Sequence, residues 1–302
     1  TDGDGDTAEQ SVTVNTVAGP LFNDAPSGGS SVVTTDEGNI PGMGSQHETS
    51  ATQPFGAATD GSFKMELHGA DATVSIGGTE LKVENGKLYH NGVEVTADAA
   101  VSVPGGAHGT LTVTGMDADG TVHYTYTLTA PVDATGNASN RPGEGDAGRG
   151  EAVYADAFDV SITTTGGTAT GQITVDALDD APVLSTLDTT QTTVADGEAA
   201  LTGTLSFTPG ADAEGAQVTV EVEGQTFTGT KGENGWTFTG GSDGSSFQLN
   251  GTAFTYTRPS SNTTDGRNDT IILQVTVTDG DGDTAEQSVT VNTVAGPLFN
   301  DA

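Results

Sequence analysis

Residues 75–95 read Ser-Ile-Gly-Gly-Thr-Glu-Leu-Lys-Val-Glu-Asn-Gly-Lys-Leu-Tyr-His-Asn-Gly-Val-Glu-Val, and three glycine-containing pairs cut the stretch into even pieces. Gly77-Gly78, Asn85-Gly86 and Asn91-Gly92 are dipeptides that tolerate positive φ, as two-residue hairpin turns require. Between them apolar and polar residues alternate, the period-2 signature of half-buried strands. Four short strands in a meander follow, and with them an all-β fold.

The same alternation runs outward in both directions. Leu111 with Val113, then Val122, Tyr124, Tyr126 and Leu128, then Phe158, Val160 and Ile162, then Ile173 and Val175 each share one face of a strand. Further on, Val218, Val220 and Val222 do the same, as do Trp236 with Phe238, Phe254 with Tyr256, and Ile271, Leu273, Val275 and Val277. No stretch sustains a 3.6-residue period. Inward faces of this kind build β-sandwiches, with roughly seven to nine strands expected per module.

Residues 1–25, TDGDGDTAEQSVTVNTVAGPLFNDA, recur letter for letter as residues 278–302, so the chain spans one full period of a tandem array and the start of the next. Asp24-Ala25-Pro26 also returns as Asp180-Ala181-Pro182, which divides the period into two modules. The reading is a final strand and linker of a preceding repeat over 1–25, a longer sandwich over 26–181 and a shorter sandwich with its following linker over 182–302. Repetition on this scale favours reach and multivalency over a single active site. Residues 8–16 would be an edge strand whose sheet partners lie in the preceding module, either docking on a neighbouring copy or projecting as an unpaired tail.

Eight basic residues against 42 acidic ones give a formal charge of −34. Such a balance excludes nucleic acid, whose phosphates need clustered Lys and Arg, and adsorption to an anionic membrane. No run of 18 apolar residues suggests membrane insertion. The chain has no cysteine, so it has no disulfide framework and no thiolate chemistry. Five scattered histidines form no HExxH pattern and no GxSxG elbow is present, so no enzyme is expected.

What the acids can do is hold a hard cation through oxygen ligands. Asp279, Asp281 and Asp283 alternate with glycine between two strands, and Asp2, Asp4 and Asp6 are their copy. The spacing matches the start of an EF-hand loop, but Thr284 and Thr290 stand where that loop needs Gly and Glu. Asp117 and Asp119 form a shorter version at another turn. Asp176, Asp179 and Asp180 lie where one sandwich ends and the next begins, where a bound Ca2+ would relieve like-charge repulsion and fix the angle. At the other joint Asp24 remains, but Pro20 stands in place of Asp176 and Asn23 in place of Asp179. The joint near 180 is therefore expected to bind calcium more tightly than the joint near 24. Residues 36–61 and 130–153, rich in Gly, Pro, Ser and Asn, read as long surface loops.

Residues 108–128, 156–184 and 269–291 together resemble the extender repeats of giant type I secreted, RTX-type bacterial adhesins, which are cadherin-like or VCBS-type immunoglobulin-fold domains. The resemblance covers most of the chain and implies tandem Ig-like sandwiches, stiffened by calcium, at the bacterial cell surface, in cell adhesion and biofilm formation. Its partners would be neighbouring repeats of the same polypeptide and copies on other chains. The alternative from a different class is a binding or self-associating module, a filament or sheath subunit included, that holds a glycan, a protein or a second copy through the two long loops.

Overall fold

The computed structural model describes residues 17–23, 29–41, 57–132, 152–195, 200–233, 235–258 and 270–294. Residues 8–16 and most of the two loop-like stretches lie outside them.

The protein is all-β. In the longer module a five-stranded sheet, in spatial order Leu21–Phe22, Ala58–Glu66, Thr121–Leu128, Gly109–Met116 and Val101–Val103, faces a seven-stranded one. The second sheet runs Gly29–Asp36, Gly167–Leu178, Ala152–Thr164, Ala72–Ile76, Thr79–Glu84, Lys87–His90 and Val93–Glu94. In the shorter module a four-stranded sheet, Val183–Thr189, Ala200–Thr208, Ala253–Thr257 and Ser246–Asn250, faces a six-stranded sheet. The latter runs Thr193–Ala195, Thr284–Val294, Thr270–Thr278, Gln217–Val222, Gln225–Gly232 and Gly235–Gly240.

In each module the opening segment crosses from one sheet to the other, pairing parallel to the final strand: Gly29–Asp36 beside Gly167–Leu178, and Thr193–Ala195 beside Thr284–Val294. The remaining order, first-second-fifth-fourth strands on one sheet and seventh-sixth-third on the other, is that of the immunoglobulin sandwich. Both modules are therefore Ig-like.

The meander over 75–95 forms as its turns dictate. Gly77, Gly78, Asn85, Gly86, Asn91 and Gly92 all take positive φ, between 51° and 84°. Each module has its own apolar core: Tyr124, Tyr126, Phe158, Ile162 and Ile173 lie in one, Leu205, Phe227, Tyr256, Leu273 and Val275 in the other. Trp236 is half-buried and packs edge-on against Phe207, with ring centroids 5.1 Å apart.

Three expectations need correction. The described residues carry twelve strands in the longer module and ten in the shorter, because short edge strands and the split opening strand leave little alternation to read. The stretches 36–61 and 130–153 are not loops at their ends. Ala58–Glu66 and Ala152–Thr164 are strands, a 3-10 turn covers Glu37–Asn39, and Ile40 and Val132 are buried in the core. Leu21–Phe22, read as linker, pairs with Met65 and Glu66 and so belongs to the longer module's sheet.

Candidate metal centre

The longer module ends in the strand Gly167–Leu178, and the shorter begins at Val183. Asp179-Asp180-Ala181-Pro182 is all that lies between, and Asp179, Asp180 and Ala181 are each no more than 1% exposed. So short a connection brings the two ends face to face. Ala211, from the shorter module, joins the apolar cluster of the longer one.

Glycines let three loops converge here. Both carboxylate oxygens of Asp180 accept from the Ala211 amide at 3.0 Å, and a side chain at Gly210, φ 94°, would occupy the space of that carboxyl group. The Gly280 amide donates to the Asp212 carbonyl at 2.6 Å, and a side chain at Gly280 would strike the Asp212 and Glu214 carbonyls. Asp279 closes its own hairpin turn: one carboxylate oxygen accepts from Gly282 N at 3.0 Å and Asp283 N at 2.7 Å.

Two groups of acids result. Glu37, Asp180 and Asp212 each offer an oxygen within 4.8 Å of the others, and so do Asp179, Asp212 and Asp281. Asp212 is common to both. The ligands come from the longer module, the linker and two loops of the shorter module. Asp279 and Asp283 stand close enough for their charges to act on Asp179, and Asp279 is buried; Asp176, though buried, falls in neither group.

A buried acid is ordinarily satisfied by donors, and Asp156 in the same chain shows how. It accepts from the amides of Ala107, His108 and Gly109 and from the Tyr126 hydroxyl. Asp179 has nothing comparable, since neither of its carboxylate oxygens has a hydrogen-bond partner. Glu37, fully buried, uses one oxygen to accept from Val132 N at 2.7 Å and leaves the other without a partner.

The electrostatic cost shows in the acidities. Burial, then the charges of Asp281, Asp283, Asp212 and Asp279, pushes the Asp179 carboxyl up to about 9. Burial and then Asp212 raise Glu37, while its Val132 bond pulls the other way. Burial and then Asp281 raise Asp279. Left to themselves these acids take up protons at neutral pH. A divalent cation offers them the alternative, and the donor set fits: all oxygen, no thiol, no imidazole, which suits Ca2+ with its six to eight oxygen ligands.

The remaining candidates are elsewhere. Asp117 and Asp119 sit in a turn at the far end of the longer module. Asp117 is exposed and pairs with His123 at 2.8 Å, and Asp119 accepts from Thr121 N at 3.1 Å; neither joins the acids at the joint. Asp2, Asp4, Asp6 and Asp24 lie outside the described residues. Sequence reasoning missed Glu37 and Asp212. Glu37 sits in a Gly- and Pro-containing stretch that reads as surface, and the one clue to Asp212 is its place between Gly210 and Gly215.

A shallow cleft of about 770 Å3 opens among Glu80, Lys82, Glu84, Tyr89, His90 and Ser102. Among the described residues, Tyr89 is the single Phe, Tyr or Trp lining it, where a sugar platform uses stacked aromatic rings.

No known protein-family profile matches the chain, and no curated relative does. Solved structures similar to it include the titin domains Z1Z2 in complex with telethonin, at 13% identity over 95% of this chain and 100% of that one, TM-score 0.41. The titin fragment I67–I69 is similar at 10% identity over 92% of this chain and 66% of that one, TM-score 0.28. The titin tandem A164–A165 is similar at 10% over 91% and 97%, TM-score 0.25.

Proposed function

We propose that the protein is a structural extender, one period of the stalk of a large bacterial cell-surface adhesin, whose joint at Asp179 is stiffened by calcium. Its work is mechanical rather than catalytic: it carries an adhesive end away from the cell in cell adhesion and biofilm formation. Tandem repetition supports this reading, because a spacer needs only copies. The absence of cysteine and the strong negative charge suit an extracellular, calcium-rich setting.

The observation that carries the proposal is Asp179, 1% exposed, with both oxygens unpartnered among acids from both modules. Glu37, Asp180 and Asp212 would hold one cation, and Asp179, Asp212 and Asp281 a second. When bound, calcium would supply positive charge to offset the mutual repulsion of these carboxylates. The chain's own contribution is the cage: Asp180 fastens the linker to Ala211, Gly280 fastens one loop to another, and Glu37 anchors the longer module through Val132.

Calorimetric titration of the chain with calcium tests the reading. The expected result is saturable binding with proton release and a melting temperature that rises by about 5–10 °C at calcium near 100 Kd. Absence of binding at millimolar calcium would overturn it.

A further inference from the structure

The joint that leads into the longer module is built on different chemistry. Its linker, residues 17–23, has the sequence of residues 294–300 that leave the shorter module. Phe22 is 0% exposed and stacks on Phe63 with ring centroids 5.0 Å apart. Gly29 and Gly171 are backbone against its ring, where any side chain would overlap it. Asn23, at φ 48°, then fixes the chain: its amide N–H donates to Lys64 O at 2.7 Å, its Nδ2 to Ser30 O at 3.0 Å, and its Oδ1 accepts from Lys64 N at 2.9 Å.

The turn that receives this linker contrasts with its counterpart. In the shorter module the last hairpin closes through Asp279–Asp283; in the longer module it closes through Thr165-Gly166, without a carboxylate. Gly166 lies directly against Ala18 and Gly19, and a side chain on it would strike the Ala18 carbonyl. One described acid at the far end of the shorter module is also provided for. Glu223, in the turn after Gln217–Val222, accepts from Arg258 Nε at 2.9 Å, Arg258 Nη2 at 2.6 Å and the Tyr256 hydroxyl at 3.0 Å. An internal guanidinium stands there where Glu37 has a spare oxygen.

We propose that the shorter module of a preceding repeat is held to this end of the longer module through the strand Leu21–Phe22, in a joint closed by Phe22 and independent of cations. An array of the repeat then alternates a calcium-held joint with a calcium-free one. The inference rests on the tandem-stalk reading, and calcium withdrawal would loosen every second joint only.

Amide hydrogen exchange on the whole chain, in calcium and in chelator, reports the two joints separately. The Asn23 amide is expected to exchange at rates within about twofold in both conditions, while the Ala211 and Gly280 amides speed up by about tenfold or more in chelator. Phe22→Ala should release the Asn23 amide in both conditions, and Phe22→Leu should keep most of its protection. A calcium-dependent Asn23 amide would overturn the proposal, and so would a Phe22→Ala chain in which it stays protected. Should Phe22→Ala fail to fold, the native chain and Phe22→Leu still decide. Ala211 and Gly280 amides indifferent to calcium would sink the calcium joint while leaving the Phe22 result to stand by itself.

Discussion

The linkers at residues 20–26 and 176–182 share an Asp-Ala-Pro signature but make opposite choices about what to bury. Around Asp179 the chain crowds carboxylates together and leaves both oxygens of Asp179 without a donor, an arrangement that is costly alone and favourable once a cation is bound. Around Phe22 it buries an aromatic ring against glycine backbone, which is favourable under every condition. On the tandem-stalk reading, one joint is then conditional and the other permanent.

The largest expected effect is at the apolar joint. Phe22→Ala should cost about 3–5 kcal/mol through lost burial and the cavity left behind, by the same amount in calcium and in chelator. Thermal melting of the longer module in both conditions checks this; a loss confined to calcium would erase the distinction between the joints. Asp212→Asn should remove the shared ligand of both acid groups and with it the calcium-dependent stabilisation, about 2.7 kcal/mol at a calcium concentration near 100 Kd. A variant that still melts higher in calcium would show that Asp212 does not hold the cation.

A pH series sharpens the contrast. Asp179 stands near 9 in the folded chain against about 3.9 for an unfolded aspartate, so between those values the folded state holds a proton that the unfolded state has lost. In chelator, stability should accordingly fall as pH rises from about 4 to 9. With saturating calcium the ligands are ionised in the folded state and stability should rise with pH over the lower part of the same range. Melting temperatures that run parallel in the two conditions would contradict the exchange of protons for cation. The smallest effect is expected at the third acidic turn: Asp117→Asn should leave the calcium response unchanged within about 0.5 kcal/mol, because its carboxylate already pairs with His123.

Much of this was legible before the structure. The 75–95 meander announces itself because each turn needs a residue type that can take positive φ, and those residues stand at the right spacing. Asp179 and Asp180 were legible because a repeated Asp-Ala-Pro marks the joint. Glu37 and Asp212 were not, since an acid beside glycine and proline looks solvated until the other module closes over it. Phe22 was hidden for a related reason. In Pro20-Leu21-Phe22-Asn23 the residues carry too little alternation to read as a strand, and the partners that bury Phe22 come from Phe63 and Gly171 far along the chain. Fold class follows from local patterning; the chemistry of a joint depends on which distant segments meet there.

Small-angle X-ray scattering of the chain with calcium and with chelator tests the central claim most directly, with Asp212→Asn as the control. The predicted result is a longer, stiffer particle in calcium that relaxes in chelator, and an Asp212→Asn chain that resembles the chelated state in both. Identical scattering profiles for the native chain in the two conditions would contradict a calcium-held joint.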